Sequence, residues 1–285
     1  MTTETGSTLR PRILLNVPIL NEIENIERLI TGVTQALLGF DYVLLIVDDG
    51  STDGTLEYVQ RAIATHGGRI ALLNRKKTRR GCQRGAALLA GVTWGLRNGD
   101  FDVFVEMDGD LSHRTEELPE AITAMARADA DIVIASKYVT GSKITGRSVD
   151  RTLISLICNF AVRIAIRWNI RDFSNGYRFY NRAAAELAFA YSIRYGSPIY
   201  LTEVMALWLK NGLKVIEIPS HYVGRNEGWS KVRLLDYVKA SVGVIEIAFR
   251  FRVTGFRRVL HMPAHHVMKA DPLVEPADLL TGQDG

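Results

Sequence analysis

The 285-residue chain has little of several things that would place it quickly. It has two cysteines, Cys82 and Cys158, with no CxxC or other metal spacing. That excludes a disulfide scaffold and a zinc ribbon, and predicts free thiols in a reducing compartment. No apolar run reaches the roughly 18 residues that cross a bilayer. The two oiliest segments are broken by Asn159 and Arg163 in one and by Glu246 in the other. Met1–Ser7 has no apolar core, so it does not read as a secretory leader. The net charge is only +4, too mild to argue for nucleic acid. Internal repeats, low-complexity blocks and a His-centred dyad are also missing. What remains is ordinary globular composition: 47% hydrophobic and 23% charged residues, enough for a sizeable α/β core.

Hydrophobic patterning alternates between short β-rich runs and helical periods. Strands are predicted at Arg12–Val17, Tyr42–Val47, Arg69–Leu73, Val103–Met107 and Asp131–Ala135. Between them lie helical patterns starting at Asn21, read as an N-cap, near Thr52, over Gly85–Leu96 and over Glu116–Arg127, with Pro119 in a first turn. Such alternation predicts a doubly wound, mostly parallel sheet, with ligands beyond the carboxyl ends of its strands. The second half is less regular. It holds a long amphipathic helix at Thr152–Arg167, a strand at Val215–Ile218 and another helix at Leu234–Arg250. The boundaries read as a flexible N-terminus over 1–10, a catalytic domain over 11–232, an amphipathic helical segment over 233–262 and a tail over 263–285.

Acidic clusters follow two of these strands. In Asp108-Gly109-Asp110, carboxylates at i and i+2 flank a small residue and can approach one hard cation together with diphosphate oxygens. In Asp48-Asp49-Gly50-Ser51-Thr52-Asp53-Gly54-Thr55, carboxylates can accept from a base N–H or ribose hydroxyls. Alternatively, both are strand-to-helix turns. Pro18, Asn21 and Glu22 read equally as turn and capping chemistry. Arg75 to Arg80 carries five basic residues in six positions, a solvated loop or a cationic rim over a diphosphate. Asp172, Arg178, Arg225 and Lys231 are isolated polar residues in apolar or glycine-containing contexts.

Taken in order, these motifs resemble glycosyltransferase family 2, and within it the group that makes dolichol-phosphate (polyprenyl-phosphate) mannose. The resemblance runs from about Arg12 to about Tyr237. It is carried by Val17-Pro18-Ile19-Leu20-Asn21-Glu22, Val47-Asp48-Asp49-Gly50-Ser51, Met107-Asp108-Gly109-Asp110-Leu111-Ser112-His113, Asp172 through Tyr180, Glu203, and Val223-Gly224-Arg225 with Lys231. It implies a GT-A (Rossmann-like) α/β fold with C-terminal amphipathic helices. It implies a nucleotide-sugar donor such as GDP-mannose, Mg²⁺ or Mn²⁺, and a polyprenyl phosphate acceptor. By position, Pro18, Asn21, Glu22, Asp48 and Asp49 would line the donor site, Asp108 and Asp110 would hold metal and diphosphate, and Arg151, Arg178, Arg225 and Lys231 would bind phosphates. The chain departs from the family's pattern at Leu20, at Gly109, at Lys137 and around Cys82, Gln83 and Arg84.

The reaction implied is inverting hexosyl transfer to a phosphate that arrives already dianionic and needs no general base. A lipid acceptor implies contact with the cytoplasmic face of a membrane or with a membrane subunit, and basic residues of the two amphipathic helices (Arg163, Arg167, Lys239, Arg250, Arg252, Arg257, Arg258) suit an anionic interface. The alternative is that both apolar stripes pack on the sheet. A UDP-sugar donor, a soluble acceptor and a non-catalytic nucleotide-sugar binding module stay open on residues alone.

Overall fold

In the computed structural model, residues 11–75, 83–191, 193–197, 199–224 and 243–254 are described. A seven-stranded sheet runs in the order β3-β2-β1-β4-β7-β5-β8. Its strands are β1 (Arg12–Ile19), β2 (Asp41–Asp48), β3 (Ile70–Asn74), β4 (Val103–Glu106), β5 (Ile132–Ser136), β7 (Arg178–Asn181) and β8 (Val215–Pro219). β7 lies antiparallel to both β4 and β5, and the other pairings are parallel. The wedged antiparallel β7 is where the structure adds to the sequence pattern, in the half of the chain whose periodicity is less regular. A small parallel pair, β6 (Lys143–Thr145) with β9 (His221–Val223), stands apart.

Both sheet faces are covered, which is why the strands read as unbroken apolar runs. Period-2 alternation sends Leu14, Val43, Leu45, Val47, Ile132 and Ile134 to one face. Ile13, Leu15, Val17, Leu44, Ile46, Val133 and Ala135 go to the other. Each such fully buried aliphatic side chain contributes about 1.5–3 kcal/mol. Helices α3 (Arg84–Asn98), α6 (Arg182–Ala190) and α7 (Tyr200–Lys210) cover the first face. Helices α1 (Ile23–Ala36), α2 (Thr55–Thr65) and α4 (Leu118–Arg127) cover the second. α1 does so with Ile26, Leu29, Ile30 and Val33, one helical stripe.

Two helix starts differ from the sequence reading. Asn21 is not the N-cap of α1. It adopts φ 56°, in the left-handed region Asn tolerates, and its side chain reaches across to the Thr52 amide. α2 begins at Thr55 rather than Thr52, because Asp48 folds residues 50–51 back on themselves and Gly54 takes φ 94°.

Helix α5 (Val149–Ala165) has an exposed apolar stripe: Val149, Leu153, Leu156, Ile157, Phe160 and Ile164. Trp168 continues it and is 58% exposed. The alternative in which this stripe packs on the sheet therefore fails for α5. The basic residues near it are partly spent inside the fold. Arg163 donates to the Trp168 carbonyl, and Arg252 donates to the carbonyls of Ile164 and Ala165 at the end of α5. Arg250 is buried in an ion pair with Glu203 at 2.6 Å. Burial of Arg250 against the Glu203 carboxylate corrects the interfacial role expected for that residue, whereas Arg163 and Arg252 satisfy carbonyls at the surface. Lys239, Arg257 and Arg258 lie outside the described residues. The predicted helix over Leu234–Arg250 is described only from 243, helical to 249 and followed by a π-turn at Arg250–Thr254. No helix among the described residues is long and apolar enough to cross a membrane.

Candidate active site

The two acidic motifs lie at the carboxyl ends of β2 and β4, each paired in register with β1. The loop after β1 is stitched to the loop after β2. The Asn21 amide donates to Ser51 Oγ, the Glu22 amide to Thr55 Oγ1 and the Ile23 amide to Asp53. Pro18 sits within β1, in register with Val47. The structure thus brings Pro18, Asn21, Glu22, Asp48 and Asp49 into one wall. Asp48, however, is fully buried, and its carboxylate accepts the amides of Gly50 and Ser51 and the Ser51 hydroxyl. Its role is to fold the turn, with Gly50 at φ 92°, rather than to offer oxygens outward. Asp49 is held by Arg75, whose Nε and Nη2 donate to its two oxygens at 2.8 and 2.9 Å. Of the basic run, Arg75 is the described member, and it serves as a bidentate partner for Asp49.

Asp108, Gly109 and Asp110 follow β4 directly. Asp108 is anchored through its backbone: its amide donates to His113 Nδ1 at 3.0 Å. Because Nδ1 accepts, the proton sits on Nε2, which donates to Asn175 Oδ1 at 3.0 Å. Burial pushes the His113 pKa down, against the opposing pull of Asp108 and Asp110, and so favours this neutral ring. The ring stacks on Tyr177 with centroids 4.8 Å apart. Asp110 accepts the Ser112 amide at 3.1 Å, while the Asp108 carboxylate pairs with Arg84 Nε at 2.5 Å. Among the described residues no three His, Cys, Asp or Glu side chains converge on one point. The two carboxylates nevertheless fit a hard cation that keeps waters and takes its remaining oxygens from a diphosphate, the usual habit of Mg²⁺.

Asn175 belongs to a turn that Asp172 organises. Asp172 is fully buried and accepts the amides of Lys137, Ser174 and Asn175 and the Ser174 hydroxyl. The Lys137 ammonium stands 3.9 Å from the same carboxylate, and burial lowers its pKa although Asp172 pulls it up. Arg178 corrects the phosphate-clamp expectation. It is fully buried, and its three nitrogens donate to the carbonyls of Asn175, Leu201 and Phe173. It therefore ties the turn to α7. Glu106, missed by sequence reasoning because it reads as one residue of a strand, is fully buried behind the motif and accepts hydroxyls of Tyr180 and Tyr200 at 3.0 Å. Burial raises its pKa. His113 and Asn175 were visible as motif letters but carried no role. A signal existed for His113, a hydrogen-bonding residue type just after the acidic triplet, but none for Asn175, which only the fold brings to it from 62 positions further on. Arg151 lies in the first turn of α5, and nothing is described of its side chain. Arg225 and Lys231 lie outside the described residues.

On the far side of the Asp172 turn, Asn159 of α5 donates to Ser174 Oγ and accepts the Phe173 amide. It also lines an open groove of about 600 Å³ with Tyr138, Leu156, Ile157, Phe160, Arg163 and Arg171. The groove is therefore one hydrogen-bonded turn away from the acidic motif.

Comparison with known proteins agrees with this geometry. The glycosyl transferase family 2 profile matches residues 15–188. The chain is 33% identical over 261 residues to the polyprenol monophosphomannose synthase of Mycolicibacterium smegmatis, covering 90% of this chain and 95% of that one. It is 34% identical over 249 residues to the undecaprenyl-phosphate mannosyltransferase of Micrococcus luteus, covering 86% and 98%. Among solved structures, glucosyl-3-phosphoglycerate synthase from Mycobacterium tuberculosis with UDP superposes with a TM-score of 0.58 at 18% identity, covering 84% of this chain and 80% of that one, a likeness of fold. The chain belongs to glycosyl transferase family 2 and is a glycosyltransferase with a GT-A-like fold.

Proposed function

We propose that the enzyme moves a hexose, mannose from GDP-mannose, onto a polyprenyl phosphate with inversion, at the cytoplasmic face of a membrane. The observation that carries this reading is the adjacency just described: an acidic metal-type motif backed by the same turn whose other side meets a groove and an exposed apolar helix face. Relatives that span nearly the same length are named for mannose transfer to polyprenyl phosphates.

In this reading Pro18, Asn21, Glu22 and Asp49 frame the nucleotide, and Asp108 and Asp110 hold Mg²⁺ or Mn²⁺. A bound divalent cation would neutralise the departing diphosphate. The acceptor phosphate has a second pKa of about 6 and attacks without a general base. This suits a site whose nearest imidazole, His113, is buried with Nδ1 already occupied. Arg151, Arg225 and Lys231 are the residues proposed to orient the acceptor phosphate. Leu153, Ile157, Phe160 and Trp168 would enter the lipid interface, flanked by Arg167 and Arg171.

The test is a donor screen with purified protein, Mn²⁺, a polyprenyl phosphate and GDP- and UDP-sugars, scored by label entering the organic phase. Lipid-soluble label from GDP-mannose alone is expected. Label from a UDP-sugar, or product confined to the aqueous phase, would overturn the donor or the acceptor assignment respectively.

A further inference from the structure

Glu203 is a motif residue to which the site gives no role. It lies in the first turn of α7 and is fully buried. One carboxylate oxygen accepts the backbone amides of Arg194 and Tyr195, at 3.0 and 3.1 Å. The other receives Arg250 Nη2 at 2.6 Å, from 47 positions further along the chain. The helix over 243–249 turns Gly243, Ile247 and the following Arg250 inward, at i, i+4 and i+7, and leaves Ile245 and Phe249 exposed. A Cβ on Gly243 would crowd Ile199 and the Tyr195 ring. Glu246 accepts the Arg194 guanidinium and the Tyr195 hydroxyl. At the far end of the segment, Lys210 donates to the Phe251 carbonyl, and Arg252 donates to the carbonyls of Ile164 and Ala165 where α5 ends.

The same turn of α7 supports the acidic motif from below. The Tyr200 hydroxyl donates to Glu106, two residues before Asp108. The Leu201 carbonyl accepts from Arg178, which also holds the turn bearing Asn175. The loop that Glu203 fastens is joined to the start of α3: the Gly196 carbonyl accepts the Ala86 amide at 3.2 Å, two residues beyond the Arg84 that pairs with Asp108. Residues 243–254 thus form a strap from the exposed apolar helix α5 to both supports of the motif. We propose that Glu203 is a positioning residue that clamps this strap, so that seating α5 on an anionic lipid surface fixes the acidic motif in its working geometry. The inference rests on the reading of α5 as a lipid-facing helix. A buried ion pair suits the task, because parting it leaves both charges uncompensated and the strap is therefore held in one register.

The experiment follows transfer by the full-length protein to a saturating, water-soluble short-chain polyprenyl phosphate, with and without phosphatidylglycerol vesicles that carry no acceptor. Wild-type kcat is expected to rise at least about fivefold with vesicles, the low end of ordinary coupling between sites. Glu203→Gln keeps an oxygen for the two amides. It should float with the vesicles as wild type does, yet retain its vesicle-free kcat and an unchanged KM for the donor. Arg252→Met cuts the strap from α5 at an exposed position, where folding is not at stake, and should lose the same response. A merely structural role for Glu203 would lower the melting point and both rates together and leave their ratio intact, which overturns the inference. So does a wild-type rise in Arg252→Met, or a wild type that floats without any rise, and in each case the lipid-facing reading of α5 survives. Failure of wild type to float removes that reading, and the inference with it.

Discussion

His113 holds Asp108 through the backbone: the Asp108 amide donates to Nδ1 at 3.0 Å, and Nε2 is fixed in turn by Asn175. A ring seated this way is a positioning residue. His113→Ala should raise the Mn²⁺ concentration needed for half-maximal transfer by about 10–100-fold, the usual cost of losing a partner behind a metal ligand. A loss of kcat with unchanged metal dependence would contradict that role.

Asp110 carries a local hydrogen bond to Ser112 and little of the core. Asp110→Ala should lower transfer by more than about 100-fold while the thermal midpoint stays within about 3 °C of wild type. Initial rates with labelled donor, beside a melting curve, make the comparison.

Arg178 should behave as structure rather than as a ligand for phosphate. Arg178→Met strands three buried carbonyls and removes a buried cation, so a stability loss of about 3–5 kcal/mol is expected by urea unfolding. A well-folded variant whose only defect is a higher KM for the acceptor would restore the clamp reading.

Glu106 gives a pH signature in metal-free protein. Its pKa is raised in the folded state, chiefly by burial, from an ordinary value of 4.5. Between 4.5 and that raised value the folded state binds more protons than the unfolded one, so this group's contribution to stability falls as pH rises. Glu106→Gln keeps an oxygen for the two tyrosine hydroxyls and removes the titration. It should melt above wild type at pH 8, with the gap closing as pH approaches 4.5. A constant gap across that range would mean the carboxylate is ionised throughout.

The apolar face of α5 should bind membranes. Replacing Ile157 and Phe160 together with Ser removes two side chains that are 60% and 51% exposed, so stability should hardly change. Flotation with vesicles containing anionic lipid should fall, and activity on a water-soluble short-chain acceptor should survive.

The sequence shows the parallel strands and the Asp108–Asp110 motif plainly, because unbroken apolar runs and the short polar segments that end them are local features. It does not show what Asp48 and Arg178 do. A carboxylate that caps its own turn and one that faces a ligand have the same neighbours in sequence. A buried guanidinium is recognisable only once the carbonyls of Asn175 and Leu201 are brought together from different elements. For α5 the stripe was legible but its partner was not, since packing on a sheet and facing a lipid demand the same spacing. Arg84 was visible as an odd residue in a loop near glycines. Its bond to Asp108 spans 24 positions and depends on space left at Gly176.

β7 enters the sheet between β4 and β5 from far along the chain, pairing Arg178 with Glu106. During synthesis, β1 to β4 can therefore assemble while the slot beside β4 is still open. The acidic loop after β4 emerges early, yet Asn175, which pins the His113 ring beneath it together with Tyr177, arrives 62 residues after that ring. Long-range pairing of this kind is slow because the intervening chain must close first. A chain arrested before residue 175 would therefore display the acidic triplet without the turn that fixes His113 beneath it.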